Sequence, residues 1–156
     1  RSVSRGLGDV YKRQPVSWRI LADEKKKQDI MEDILRCCKE KQMAAELIGE
    51  YENGNNPVMG ENAVLLIALC REDAINPQQD TAIAMTTAEL LLQAQGIGTC
   101  WGGYLTRFLN LLPECRRLLE IPEGCLVYGT LMAGYPDNQC YRHIPFREQA
   151  DIRFIE

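Results

Sequence analysis

NPQQDTAIAMTTAELLLQAQ, residues 76–95, runs directly into GIGTCWGGY, residues 96–104, and the reading of this stretch decides the fold. Asn76 stands where it can cap a first helical turn. Pro77 takes the first helical position, where its missing N–H costs nothing, and Gln79 lies three past the cap in a capping-box arrangement. Gly96 then ends the helix. Between these signals lie about five turns, roughly 28 Å at 1.5 Å per residue, enough to cross a small domain. Ala84, Ala88, Leu91 and Leu92 make one apolar face, and Ala82, Ile83 and Leu90 make most of the remainder apolar. The pattern predicts a long helix buried at the centre of the fold.

The glycines that follow do not form a dinucleotide fingerprint. G-x-G-x-x-G needs glycine where Trp101 stands and a strand before the turn, whereas here a helix precedes it. Gly102 and Gly103 offer backbone without Cβ, able to lie against a flat ring and aim N–H groups at its heteroatoms. Spacing alone favours a plainer use of the same residues, a helix stop followed by a tight connection.

Outward from this centre, periodicity places the other elements. Val16, Trp18 and Ile20 alternate with Ser17 and Arg19, as in a half-buried strand. Asp23 can cap a helix in which Ile30, Met31, Ile34, Leu35, Cys38, Ala45 and Ile48 fall at helical spacing, ending near Gly49; the charge run 23–27 reads as its solvated first turn. Residues 51–60 carry Asn-Gly and Asn-Pro and read as loop. Residues 63–70 and 126–133 are apolar throughout, the pattern of strands covered on both faces. Two short helices, 104–111 and 113–120, break at Pro113, and residues 152–155 suggest an edge strand. Helices outweigh strands, no segment repeats, and no linker divides the domain.

Composition narrows the function. With 46% hydrophobic and 26% charged residues, the 156-residue chain has the balance of a soluble domain, and no apolar run reaches the eighteen to twenty residues that span a bilayer. Residues 9–14, DVYKRQ, are one translation of GAT GTG TAT AAG AGA CAG, which resembles a transposon end used in sequencing adapters. The expectation is therefore that residues 1–14 are non-native and that the domain comprises residues 15–156. Setting aside that segment's four basic residues (Arg1, Arg5, Lys12, Arg13) and one acid (Asp9) takes the 18 basic and 22 acidic residues to 14 and 21, a net charge of −7. That argues against nucleic acid and against an anionic membrane surface as partners.

Seven cysteines without a C-x-x-C, beside a single histidine, provide neither zinc-site spacing nor a secreted disulfide framework, so no metal is expected. Free thiols in a reducing cytoplasm follow. Cys100 is the one placed to matter, and the plainer reading makes it a small apolar filler beside Trp101. In the tail, Arg142, His143 and Arg147 cluster around Pro145, suited either to a phosphate dianion or to surface pairing with Glu148 and Asp151. No G-x-S-x-G accompanies His143, which disfavours hydrolase chemistry.

Taken together, Asp80, Ala84, Ala88, Leu91, Ala94 and the run 96–104 resemble the central helix and following loop of the FMN-dependent nitroreductase family. PVSWRILAD (15–23) is similar to that family's first strand, NNPVMGENAVLLIAL (55–69) to the segment entering the next, and IPEGCLVYGTLMAGYP with YRHIPFRE (121–148) to the last core strand and basic tail. The resemblance covers residues 15–156 and implies an α+β fold, a central mixed or antiparallel sheet flanked by helices around a long buried central helix.

It further implies a homodimer with FMN at each subunit interface and ping-pong transfer. NADH or NADPH would reduce the flavin, and a small-molecule electron acceptor such as a nitroaromatic or quinone would reoxidise it. No side chain is then obligatory as an acid or base, because the cofactor supplies the chemistry. The resemblance assigns Gly102 and Gly103 as backbone contacts to the isoalloxazine, Cys100 and Trp101 as walls, and Arg147 with Arg142 to the phosphate. The family's arginine-rich N-terminal motif has R-S-x-R spacing, which Arg1 to Arg5 do not reproduce; the resemblance therefore implies an N-terminally truncated member. A non-catalytic dimerisation or ligand-binding module, or an inactive fragment, is the alternative, as is a member reducing another acceptor by dehalogenation or enone reduction.

Overall fold

The two continuously apolar runs become the middle strands of one sheet. The computed structural model describes residues 16–136 and 153–155. Residues 1–14 and Arg142, His143 and Arg147, which the sequence singled out, lie outside them. Along the chain run β1 (Ser17–Leu21), α1 (Glu24–Glu40), α2 (Ala45–Glu52), β2 (Val64–Arg71), α3 (Pro77–Ala94), β3 (Gly98–Trp101), α4 (Gly103–Leu111), α5 (Pro113–Leu118) and β4 (Cys125–Gly134). The sheet order is β1-β2-β4-β3 and every neighbouring pair is antiparallel. The architecture is α+β, an antiparallel four-stranded sheet with flanking helices.

Alternation along β2 divides its side chains between two cores. Leu65, Ile67 and Leu69 join Ile30, Met31 and Ile34 of α1 and Leu105, Phe108 and Leu109 of α4 in the larger one. Each such fully buried side chain contributes about 1.5–3 kcal/mol over an exposed one. On the opposite face, Ala68 and Leu131 enclose Met85 of α3. The register slips between Ala68 and Leu69, so that Ala68 faces Gly129, Leu69 faces Val127, and Tyr128 is the extra residue of a bulge. Asn110 of α4 stabilises this irregularity: its amide donates to the Val127 carbonyl at 2.7 Å and its side-chain oxygen accepts from the Val127 N–H at 2.9 Å. Ala68 and Gly129 together leave room for Met85, since a Cβ on Gly129 would sit 2.2 Å from the Met85 sulfur.

Several expectations are corrected. The single helix after Asp23 is two, because the chain turns left-handed at Gln42 (φ 50°) and Ala44 (φ 53°). Met43 N–H bonds the Cys38 carbonyl at 3.0 Å and Gln42 N–H the Lys39 carbonyl at 3.3 Å, a Schellman ending with glutamine where glycine is usual. Replacing Gln42 with glycine removes the Cβ penalty of that conformation; Gln42→Gly is expected to raise stability by about 0.5–1 kcal/mol, read as a higher thermal midpoint. Asp23 caps α1 as expected, accepting from Lys26 N–H at 2.9 Å. Asn76 occupies the cap position of α3 but makes no side-chain cap bond, its backbone (φ −139°, ψ 59°) lying off the extended geometry that brings a cap side chain over the first turn. Lys27 is not solvated: it is buried, and its ammonium donates to Glu24 at 2.5 Å and to the Ala63 carbonyl at 2.9 Å. Residues 153–155 form no strand.

The largest correction concerns α3. Within the single chain only Thr81 and Met85 are buried on it, while Ile83, Leu90 and Leu91 are 67, 62 and 59% exposed. A helix laid on a sheet covers only one stripe of its surface, and no element of the described residues covers the other side.

Candidate functional site

The glycine-rich stretch is a strand and a helix start rather than a loop. Thr99 and Trp101 have the β-branched and aromatic character that suits a strand, and β3 pairs with β4 from Gly98↔Gly134 to Trp101↔Leu131. Gly102 is the joint at which the chain turns into α4. Its N–H donates to the Thr130 carbonyl at 2.9 Å, and its carbonyl accepts from Thr130 Oγ1 at 2.7 Å, Thr106 Oγ1 at 3.0 Å and Thr106 N–H at 3.0 Å. The two hydroxyls lie 3.1 Å apart. A Cβ at Gly102 would come within 2.5 Å of Thr130 Oγ1. The glycine is thus required by packing inside the fold and its N–H is already committed, so a backbone contact to any ligand falls to Gly103 and its successors.

Gly103 differs. It is exposed, and a Cβ there would meet nothing within 4 Å. It opens α4, whose first-turn N–H groups have no intrahelical acceptor. Trp101 is 45% and Tyr104 58% exposed, so an indole, open amides and a phenol ring share the outer surface of this junction.

Trp101 is anchored from across the fold. Its indole N–H donates to Glu89 Oε2 at 3.2 Å, and Thr99 Oγ1 donates to Glu89 Oε1 at 3.0 Å. One carboxylate on α3 therefore holds two β3 side chains that point the same way, and alternation turns Cys100 to the other side. Cys100 is exposed, which corrects the filler reading. Cys37, Cys38, Cys70 and Cys115 are buried. Burial pushes the Cys38 and Cys70 thiols up and Cys115 up to about 11, so these remain protonated and inert. Among the described residues no group of three or more His, Cys, Asp or Glu could hold a metal, and no helix is long and apolar enough to cross a membrane.

The structure thus brings Cys100, Trp101, Gly102 and Gly103 to one strand–helix junction. Glu89, Thr106 and Thr130 are members that sequence reasoning missed. A signal existed for Glu89: with Asp80 it is one of only two charged residues in α3, set among alanines and leucines.

An apolar groove of about 400 Å3 lies beside the C-terminal end of α3, lined by Ile20, Val64, Leu66, Leu92, Ile97 and Ala133 among others.

Comparison with known proteins identifies the family. Residues 9–135 match the family model described as Nitroreductase family. No curated protein matches at the sequence level. The fold is similar to that of a nitroreductase with bound FMN from Bacteroides fragilis, at 19% identity and a TM-score of 0.68, over 100% of this chain and 89% of that one. A nitroreductase with bound FMN from Desulfitobacterium hafniense follows at 17% and 0.67, over 86% and 73%. Iodotyrosine deiodinase bound to FMN and 3-iodo-L-tyrosine is similar at 20% and 0.61, over 96% and 88%. Since the family model spans most of its length, the chain belongs to the nitroreductase family of oxidoreductases.

Proposed function

We propose that this protein is an FMN-dependent oxidoreductase that works as a homodimer, takes reducing equivalents from NADH or NADPH and delivers them to an electron-poor acceptor such as a nitroaromatic or quinone. The match to the nitroreductase family model carries this reading, and the FMN held by the similar Bacteroides fragilis and Desulfitobacterium hafniense proteins supports it. The residues present fit the cofactor: Gly103 leaves the surface open, and Trp101 and Tyr104 flank it with exposed rings. When bound, FMN supplies the two-electron chemistry in alternating reductive and oxidative halves.

The chain's own residues bind and orient. Amides at the start of α4 offer N–H donors toward ring heteroatoms, with the positive end of the helix dipole behind them. Gly102, fastened to Thr106 and Thr130, fixes the angle at which strand and helix meet and so fixes those donors. Arg142 and Arg147 are proposed for the phosphate, and Cys100 for a wall of the site. No described side chain needs to move a proton. The uncovered side of α3, together with the apolar groove that Leu92 lines near its C-terminal end, is the surface a second copy would bury.

The decisive experiment is the visible spectrum of the purified chain after excess FMN has been added and unbound ligand removed. A retained flavin spectrum is expected, bleaching anaerobically with NADH or NADPH and recovering with a quinone. A colourless protein would overturn the reading and leave a non-catalytic module. Likeness to iodotyrosine deiodinase favours one second acceptor class, reductive dehalogenation; halide release from an iodophenol by the reduced protein would establish it.

A further inference from the structure

We propose that Glu89 and Trp101 form an electron-rich stacking platform, in which the Glu89 carboxylate polarises the indole so that its exposed face selects electron-poor planar rings. Three observations lead there. The carboxylate accepts the indole N–H at 3.2 Å and is itself held by the Thr99 hydroxyl at 3.0 Å, so its charge is fixed at the edge of the ring. The ring is located from the sheet side, where its Cζ3 lies 3.5 Å from the point a Gly129 Cβ would occupy. It is nonetheless 45% exposed.

An aromatic face is already negative through its quadrupole. A hydrogen bond from the ring N–H to an anion pushes further electron density into the π system, and charge-assisted bonds do so more than neutral ones. Rings depleted of electrons are then favoured and electron-rich or anionic rings disfavoured. An oxidised isoalloxazine and a nitroaromatic both fit that description, so the proposal rests on the flavin reading only for its biological occupant. Glu89 is a positioning residue here, acting on the occupant through Trp101.

Trp18 and Trp101 are the only two tryptophans. In a Trp18→Phe background, emission therefore reports on Trp101 alone. Its quenching is titrated with FMN, with 1,3-dinitrobenzene and with electron-rich 1,3-dimethoxybenzene. Glu89→Gln keeps an acceptor for the indole N–H and removes the charge. Thr99→Val removes the carboxylate's other partner and keeps the charge. Glu89→Gln is expected to weaken dinitrobenzene about three- to tenfold, the range one aromatic contact is worth, and to leave dimethoxybenzene within twofold. Thr99→Val is expected to leave both within twofold, with thermal midpoints showing that each variant folds. Equal affinities for dinitrobenzene in parent and Glu89→Gln overturn the proposal, as does a parent that binds the two benzenes equally. Loss of selectivity by Glu89→Gln in a protein that never binds FMN supports the platform while refuting the flavin reading.

Discussion

Gly102→Ala is expected to lower stability by about 2–4 kcal/mol and the thermal midpoint by roughly 5–15 °C. The new methyl would lie 2.5 Å from Thr130 Oγ1, a buried hydroxyl on the β-branched side chain of a sheet strand. Thr130 has few rotamers available, and rotating Oγ1 away breaks its bonds to the Gly102 carbonyl and to Thr106 Oγ1. Overpacking and the lost hydrogen bonds therefore add at one position. Removing the hydroxyl tests the cause: Thr130→Ala alone costs about 1–3 kcal/mol, and the double variant is expected to be at least about 1 kcal/mol more stable than the sum of the two single effects. Melts at fixed protein concentration decide it. An unchanged midpoint for Gly102→Ala, or strict additivity in the cycle, would show that the joint tolerates a side chain and that the glycine is there for something else.

Leu90→Glu is expected to convert the proposed dimer to a folded monomer. Ile83, Leu90 and Leu91 project from the uncovered side of α3, and burying one such side chain against a partner is worth about 1.5–3 kcal/mol if complete. A two-fold interface presents each residue twice, so one substitution removes two contacts and introduces two charges. The loss exceeds the margin of most micromolar dimers. Size-exclusion chromatography with light scattering at micromolar concentration gives the mass, and far-ultraviolet circular dichroism confirms folding. Met85 and Thr81 occupy the opposite, sheet-facing side of α3 and are untouched. FMN retention should fall with the dimer, since the family resemblance implies FMN at each subunit interface. A wild-type protein that elutes as a monomer, or a Leu90→Glu variant still dimeric, would place the interface elsewhere or nowhere.

Local chemistry is legible in the linear chain wherever a residue type has one conformational use. Gly96 was readable as the end of α3 because its left-handed φ of 76° suits glycine. The apolar runs of β2 and β4 were readable as central strands because both faces of a middle strand are covered. The break between α1 and α2 was not, because Gln42 and Ala44 adopt left-handed conformations that neither residue advertises; the bonds from Met43 and Gln42 back to Cys38 and Lys39 hold them there.

By itself, the sequence determined where β1, β2, α3, α4, α5 and β4 lie, because these follow from hydrophobic period and from glycine and proline chemistry, and its family resemblance implied the α+β class; β3 and the break between α1 and α2 it did not show. Tertiary structure alone decided what each residue at that site faces. The pairing of β3 with β4 sets Gly102 against Thr130, and the packing of α3 on the sheet brings Glu89 to Thr99 and Trp101, 10 and 12 residues further along the chain. Contacts across elements depend on register and packing angle, which no local pattern encodes. The same holds for the outer side of α3: its hydrophobicity is written in the sequence, but only the folded chain shows that its own residues leave that side uncovered.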